Sequence, residues 1–131
     1  MNRLTHARIE RAIRSAEAGT SGHIVVRIIP DADVDAFARA RDEFMRAGLH
    51  ATPHRNTTLV LVAPGAKKFA VLGDRDVHGR VGDTFWRSVV AEMKPYFVGR
   101  DITGGIVHAI EQIGRELHTH FPLDTPGSVK K

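Results

Sequence analysis

The sequence predicts an α/β fold: a small mixed β-sheet with four helices flanking both of its faces. Three observations carry the prediction. Segments of helical and strand periodicity alternate in the order helix, strand, helix, strand, strand, helix, helix. The run Leu59-Val60-Leu61-Val62-Ala63 is apolar at every position, as in a central strand covered from two sides. Pro64-Gly65-Ala66-Lys67 then turns the chain back through Lys68-Phe69-Ala70-Val71-Leu72, which makes a hairpin.

Within 5–18, Ile9, Ala12, Ile13 and Ala16 recur at helical spacing, and Gly19 follows where a helix end favours a left-handed residue. The stretch from His23 to Ile29 is dense in β-branched residues until Pro30 stops it, which marks the first strand. Asp31, Asp33 and Asp35 offer N-caps to a second helix with apolar positions Val34, Phe37, Phe44 and Met45 and a closing Gly48. Asn56-Thr57-Thr58 leads into the second strand, and the third ends at Gly73. Residues 73–82 read as a polar loop, after which Asp83 reads as the N-cap of a third helix carrying Phe85, Trp86, Val89, Val90, Met93 and Phe97. Pro95 is expected to end or bend the last turn of that helix. Ile102, Ile106, Ile110, Ile113, Leu117 and Phe121 give the fourth helix the clearest three-or-four spacing in the chain.

The 131 residues suit one domain, assigned to 1–122, with a flexible Pro/Gly/Ser/Lys-rich tail over 123–131. At 42% hydrophobic residues and a mean hydropathy of −0.20, the composition is that of a soluble globular chain. Its apolar runs fall far short of the roughly 18 residues a membrane span needs. The opening Met1-Asn2-Arg3 continues into alternating charged and apolar residues, which do not read as a secretory signal, so the cytoplasm is the expected compartment. With no cysteine, disulfides, zinc–thiolate sites and thiol catalysis are excluded. A net charge of +4 permits an acidic partner without requiring one.

Because the first and second strands are joined by a helix, they should be parallel, and the hairpin then makes the third antiparallel to both. Ser21, Gly22, His23, Asn56, Gly73 and Asp74 therefore share one edge of the sheet, while Asp31, Asp33, Asp35 and the connection around Asp101 lie at the opposite edge.

The stretch Asp74-Arg75-Asp76-Val77-His78-Gly79, followed by Asp83, is the most informative for chemistry. Acids at alternate positions in a glycine-containing loop turn several oxygens toward one hard cation. An EF-hand is rejected, since His78 replaces the usual Asp or Asn and Phe85 stands where its bidentate Glu belongs. The expected site is Asp74, Asp76 and Asp83, with His23, Asn56 and His78 as further ligands, for calcium or magnesium. The bland alternative is that Asp83 caps a helix while Asp74 and Asp76 make local turn bonds. Asp31, Asp33, Asp35 and Asp101 form a second, weaker acidic set, for which helix capping is the stronger explanation.

Other patterns carry less. Asp74-x-Asp76 after an apolar strand has the form of an aspartyl-phosphate phosphatase motif, but His78 stands where a Thr or Val belongs. Gly79-Arg80-Val81-Gly82 has the GxxG form of KH domains, yet follows a strand. His50 and His54 are separated by Pro53, which disfavours a helical metal pair, and no Ser sits in a nucleophile elbow. Arg8, Arg11 and Arg14 make a basic stripe on the first helix, interleaved with Glu10 and Glu17. A charged helix face of this kind is ordinarily just solvated and this one does not read as a nucleic-acid footprint; the alternative is that it offers a face to an acidic partner.

Taken together, Thr20-Ser21-Gly22-His23-Ile24-Val25-Val26, Asn56-Thr57-Thr58-Leu59-Val60-Leu61, Val71-Leu72-Gly73-Asp74, Asp83-Thr84-Phe85-Trp86, Tyr96-Phe97, Gly104-Gly105-Ile106 and His120-Phe121-Pro122 resemble, in order and spacing, the motif series of the TPM domain family. The likeness is to its stand-alone soluble branch. It implies an α/β/α sandwich. It also implies a function drawn from a mixed record, in which some members are described as calcium binders, some as acid phosphatases and others without phosphatase activity. Asp74 matches the family's acid after the third strand and Asp83 the acid that opens the next helix. His23 departs from the usual Glu, Thr57 from a common Gly, and Asp76 from the Gly of many soluble members. The function expected is divalent-cation binding; the alternatives are a metal-assisted phosphatase acting on phosphomonoesters and a non-catalytic adaptor using the Arg8, Arg11 and Arg14 face.

Overall fold

In the computed structural model the chain is described over residues 3–30 and 35–123. Its elements are α1 (Arg3–Glu17), β1 (His23–Ile28), α2 (Ala36–Arg46), β2 (Thr57–Ala63), a 3-10 turn (Pro64–Ala66), β3 (Lys68–Gly73), α3 (Arg75–Val98) and α4 (Ile102–His120). Every residue of β2 is buried, and β2 is the middle strand of the sheet order β1-β2-β3. β1 runs parallel to it, from His23 opposite Thr57 to Ile28 opposite Val62. β3 runs antiparallel, from Lys68 opposite Ala63 to Gly73 opposite Thr58.

The alternation of side chains along β2 divides the core in two. Val60 and Val62, with Val71 of β3, enter the larger cluster with Ile9 of α1, Val89 and Met93 of α3, and Ile106, Ile110 and Leu117 of α4. Leu59, Leu61 and Ala63, with Ala70, pack on Ala36, Ala40 and Phe44 of α2. The sheet is thus covered on both faces.

Two expectations need correction. In α2 the buried residues are Ala36, Ala40 and Phe44, whereas Phe37 and Met45 are exposed. The small alanines let the helix lie close on the sheet, and Phe37 instead lies beneath the Arg41 guanidinium. Val34, Asp31 and Asp33 lie outside the described residues. Gly48 closes the helix end with a left-handed φ of 69°.

The second correction concerns 73–82, which is no loop. α3 begins at Arg75, capped by Asp74, and places Val77 in the core. Gly82, with φ 76° and ψ 170°, then breaks the helical path immediately before Asp83, where the sequence had placed the helix start. That backbone region is open essentially to glycine alone. Pro95 does not end α3, which runs on to Val98.

The end of α4 is laced to the link between α1 and β1. Thr20 Oγ1 donates to the Leu117 and Phe121 carbonyls, Ser21 N–H to Phe121 O, and Leu123 N–H to Gly19 O. The tail expected over 123–131 lies outside the described residues beyond this Leu123 contact.

Candidate functional site

The parallel and antiparallel registers bring the start of β1, the start of β2 and the end of β3 to one edge, as the topology requires. Two bonds sew β1 to β2 there: His23 N–H donates to Asn56 O, and Asn56 Nδ2 donates to Ser21 Oγ. Asn56 is buried, and its side chain serves this seam. His23 is exposed beside it.

Asp74 is the buried acid of this edge, with its side chain 5% exposed. Its N–H continues the sheet by donating to Thr57 O at 2.8 Å, and its Oδ1 accepts the Arg75 N–H at 2.8 Å, capping α3. The side chain of Arg55, in the segment before β2, closes on it in two-pronged fashion: Nε to Oδ2 at 2.7 Å and Nη2 to Oδ1 at 2.8 Å. Arg55 has a left-handed φ of 49°, and its carbonyl accepts the Asp76 N–H.

Burial pushes the Asp74 carboxyl up. The hydrogen bonds from Arg55 and the Arg75 N–H, together with the charges of Arg55 and His50, outweigh it and hold the carboxyl below its ordinary value. Arg55 is held above its own ordinary value, first by the hydrogen bond to Asp74 and also by the charges of Asp74 and Asp76. Beside this pair opens a cleft of about 270 Å³, walled by Arg41, Phe44, His50 and Leu72.

The other expected ligands are engaged elsewhere. Asp76 lies 3.1 Å from Arg75 Nε, and Asp83 lies 3.5 Å from His78 Nε2. Trp86 Nε1 donates to the other ring nitrogen of His78, Nδ1, at 2.9 Å. Of the second acidic set, Asp35 caps α2 through Ala38 N–H, and Asp101 caps α4 through Gly104 N–H. Among the described residues no group of three or more His, Asp or Glu stands in place to hold a metal ion. As the side chains stand, Asp74 fits a cation only once Arg55 has left it.

Sequence reasoning did not name Arg55 or single out His50 for this site. Only the place of Arg55 was legible, since a residue next to Asn56 must lie at the edge where β3 delivers Asp74.

Gly73 packs directly against Trp86, because a Cβ there would clash with the Trp86 ring. Gly73→Ala therefore displaces Trp86 and breaks its bond to His78, at a cost of about 1–2 kcal/mol in unfolding free energy. Trp86 is the one tryptophan of the chain, so its fluorescence in a urea titration reports both changes. An unchanged emission maximum and midpoint would refute this packing.

The family model of the TPM domain matches residues 1–116. Among solved structures, the BA42 protein of the psychrophilic bacterium Bizionia argentinensis is 30% identical, with a TM-score of 0.86, 100% of this chain covered and 90% of that one. The N-terminal domain of a Corynebacterium glutamicum protein has a TM-score of 0.72 at 15% identity, covering 100% of this chain and 81% of that one. The N-terminal domain of a P. gingivalis protein has a TM-score of 0.76 at 12% identity, covering 92% and 78%; these last two likenesses are of fold. No curated protein matches. No helix among the described residues is long and apolar enough to cross a membrane.

Proposed function

This chain belongs to the TPM domain family, and on that premise we propose that it binds a divalent cation, calcium or magnesium, at the Asp74 edge of the sheet in exchange for the Arg55 guanidinium. The observation that carries the reading is the position of that guanidinium. It covers both oxygens of a buried carboxylate and is drawn as well by the charge of Asp76. A buried carboxylate already bound by one positive charge, with a second acid nearby, marks a place for which a hard dication competes. Arg55 is free to leave: its side chain is 31% exposed, so its guanidinium moves into water without opening the core. Asp74 is then the acid offered, and Asp76 joins it by giving up Arg75, while Asp83 and His78 stay paired with each other.

The test is an NMR titration of Ca²⁺, then Mg²⁺, into metal-stripped wild type, Asp74→Asn and Arg55→Gln. Saturable shifts confined to residues 55–57 and 73–76 are expected in the wild type and lost in Asp74→Asn. Affinity should rise about tenfold in Arg55→Gln, where the competing charge is gone. Flat spectra for wild type and Arg55→Gln at millimolar metal would overturn the reading.

Phosphomonoester hydrolysis is tested in the same samples: phosphate release above blank that disappears in Asp74→Asn would make the edge catalytic. The adaptor reading rests on Arg8, Arg11 and Arg14, which stand exposed along α1. It predicts steeply salt-dependent capture of an acidic protein, lost when all three are changed to Ala.

A further inference from the structure

The opposite end of the sheet carries a second cleft, open and about 730 Å³ in volume, between the β2–β3 turn and the junction of α3 with α4. Its floor is aromatic: the Phe69 and Phe97 rings pack with centroids 4.5 Å apart. Val98, 85% exposed, forms one wall. Three cations rim it: Lys67 from the turn, Lys94 from α3 and Arg100 from the α3–α4 link. Lys94, Phe97 and Val98 are three and four residues apart, so one face of α3 supplies both charge and apolar surface. Among the described residues none of the three cations has an ion-pair partner. The adjacent acid, Asp101, is committed to its cap on Gly104 N–H.

Two of the three cations stand on left-handed backbone, Lys67 at φ 55° and Arg100 at φ 63°. Hydrogen bonds from their own N–H groups to Pro64 O and Phe97 O hold these turns. Glycine would meet both positions without steric cost, yet each bears a long cationic side chain at the mouth of an apolar cleft.

We propose that this cleft binds a small amphipathic anion, with a phosphate or carboxylate head among Lys67, Lys94 and Arg100 and a short alkyl or aryl body over Phe69, Phe97 and Val98. Inorganic anions would use the rim alone and neutral apolar molecules the floor alone; only a ligand with both parts uses the whole surface. The volume falls in the range of small-molecule sites. The concave shape, with walls from separate elements, favours a single molecule over the plane of a membrane.

The experiment is an NMR titration of the full chain with octyl phosphate below its micelle concentration, beside inorganic phosphate and octyl glucoside as single-feature probes. Saturable shifts at residues 67, 69, 94 and 97–100 are expected, with both single-feature probes binding at least about tenfold more weakly. Arg100→Gly and Lys94→Gln should each weaken octyl phosphate about tenfold. Arg100→Gly gives the turn its preferred residue, so its melting temperature should not fall, which separates lost binding from lost fold. Asp74→Asn should leave this binding unchanged. Absence of saturable shifts, equal binding by the Arg100→Gly/Lys94→Gln double variant, or octyl phosphate no better than either single-feature probe would overturn the proposal. Sedimentation with phosphatidylglycerol-containing vesicles, without octyl phosphate binding, would overturn it in favour of a membrane surface.

Discussion

Leu117→Ala lowers the unfolding free energy by about 3 kcal/mol, within the 2–5 kcal/mol span of buried leucine truncations. Leu117 is fully buried on α4 in the larger core cluster. Its side chain also seats the chain just before β1, for a Cβ on Gly22 would lie 2.7 Å from Leu117 Cδ2. Local collapse is hindered there. The Leu117 carbonyl is bonded by both Thr20 Oγ1 and Phe121 N–H, which fix the backbone on either side of the void. The cost should therefore lie well above the roughly 1 kcal/mol typical of point mutants. For a domain whose whole stability is about 5–15 kcal/mol, this is a shift on the order of 10 °C in Tm. Leu117→Met, which preserves volume, should cost less than about 1.5 kcal/mol, and Met45→Ala, at a position 59% exposed, about 0.5 kcal/mol or less. Thermal unfolding of the three variants checks the order; a Leu117→Ala cost near that of Met45→Ala would refute this account of the core.

The sheet was legible in the sequence because its signals are redundant. Leu59 to Ala63 allows no solvent face, and the short turn at 64–67 leaves β3 no other neighbour, so order and direction followed from chain connectivity. Where the pattern misled, a different balance won. Phe37 and Met45 outweigh Ala36 and Ala40 in hydrophobicity, but a helix lying close on a sheet selects small residues at the contact. In 73–82 the glycines and charges suggest a loop, and only Val77 and Val81, one turn apart, betray the helix that Asp74 caps. The meeting of edges at Asp74 was legible for the same topological reason as the sheet. Its pairing with Arg55 was not, because it depends on a left-handed turn at Arg55 that nothing in the residue type announces.

That pairing sets the second large effect. Asp74→Ala should cost about 2–3 kcal/mol near neutral pH, combining a lost N-cap with lost charge-assisted hydrogen bonds. It should fall short of the worst cases of a broken buried ion pair, about 3–5 kcal/mol, because the Arg55 left behind is 31% exposed and can be rehydrated. Asp74→Asn keeps an acceptor for the Arg75 N–H and should lose about half as much. The pH dependence follows from the direction of the shift. The folded carboxyl lies below its unfolded value of 3.8, so its stabilisation is complete above that value and is lost as pH falls through the lower, folded one. The gap between wild type and Asp74→Asn should therefore close progressively below about pH 5, as measured by urea midpoints at matched ionic strength; a gap constant to pH 2 would refute the pairing. Arg55→Gln should behave oppositely. With the guanidinium gone, burial is opposed chiefly by the Arg75 N–H, the Asp74 carboxyl rises, and the variant loses less stability than wild type on acidification. It is also the variant in which a buried carboxylate lacks its counter-charge. Any dication that takes the guanidinium's place should restore more stability there than in wild type, by RT ln(1 + [metal]/Kd). Calcium that raises the Tm of Arg55→Gln but not of the Arg55→Gln/Asp74→Asn double variant would identify Asp74 as the anchoring ligand; equal effects on both would remove it from that role.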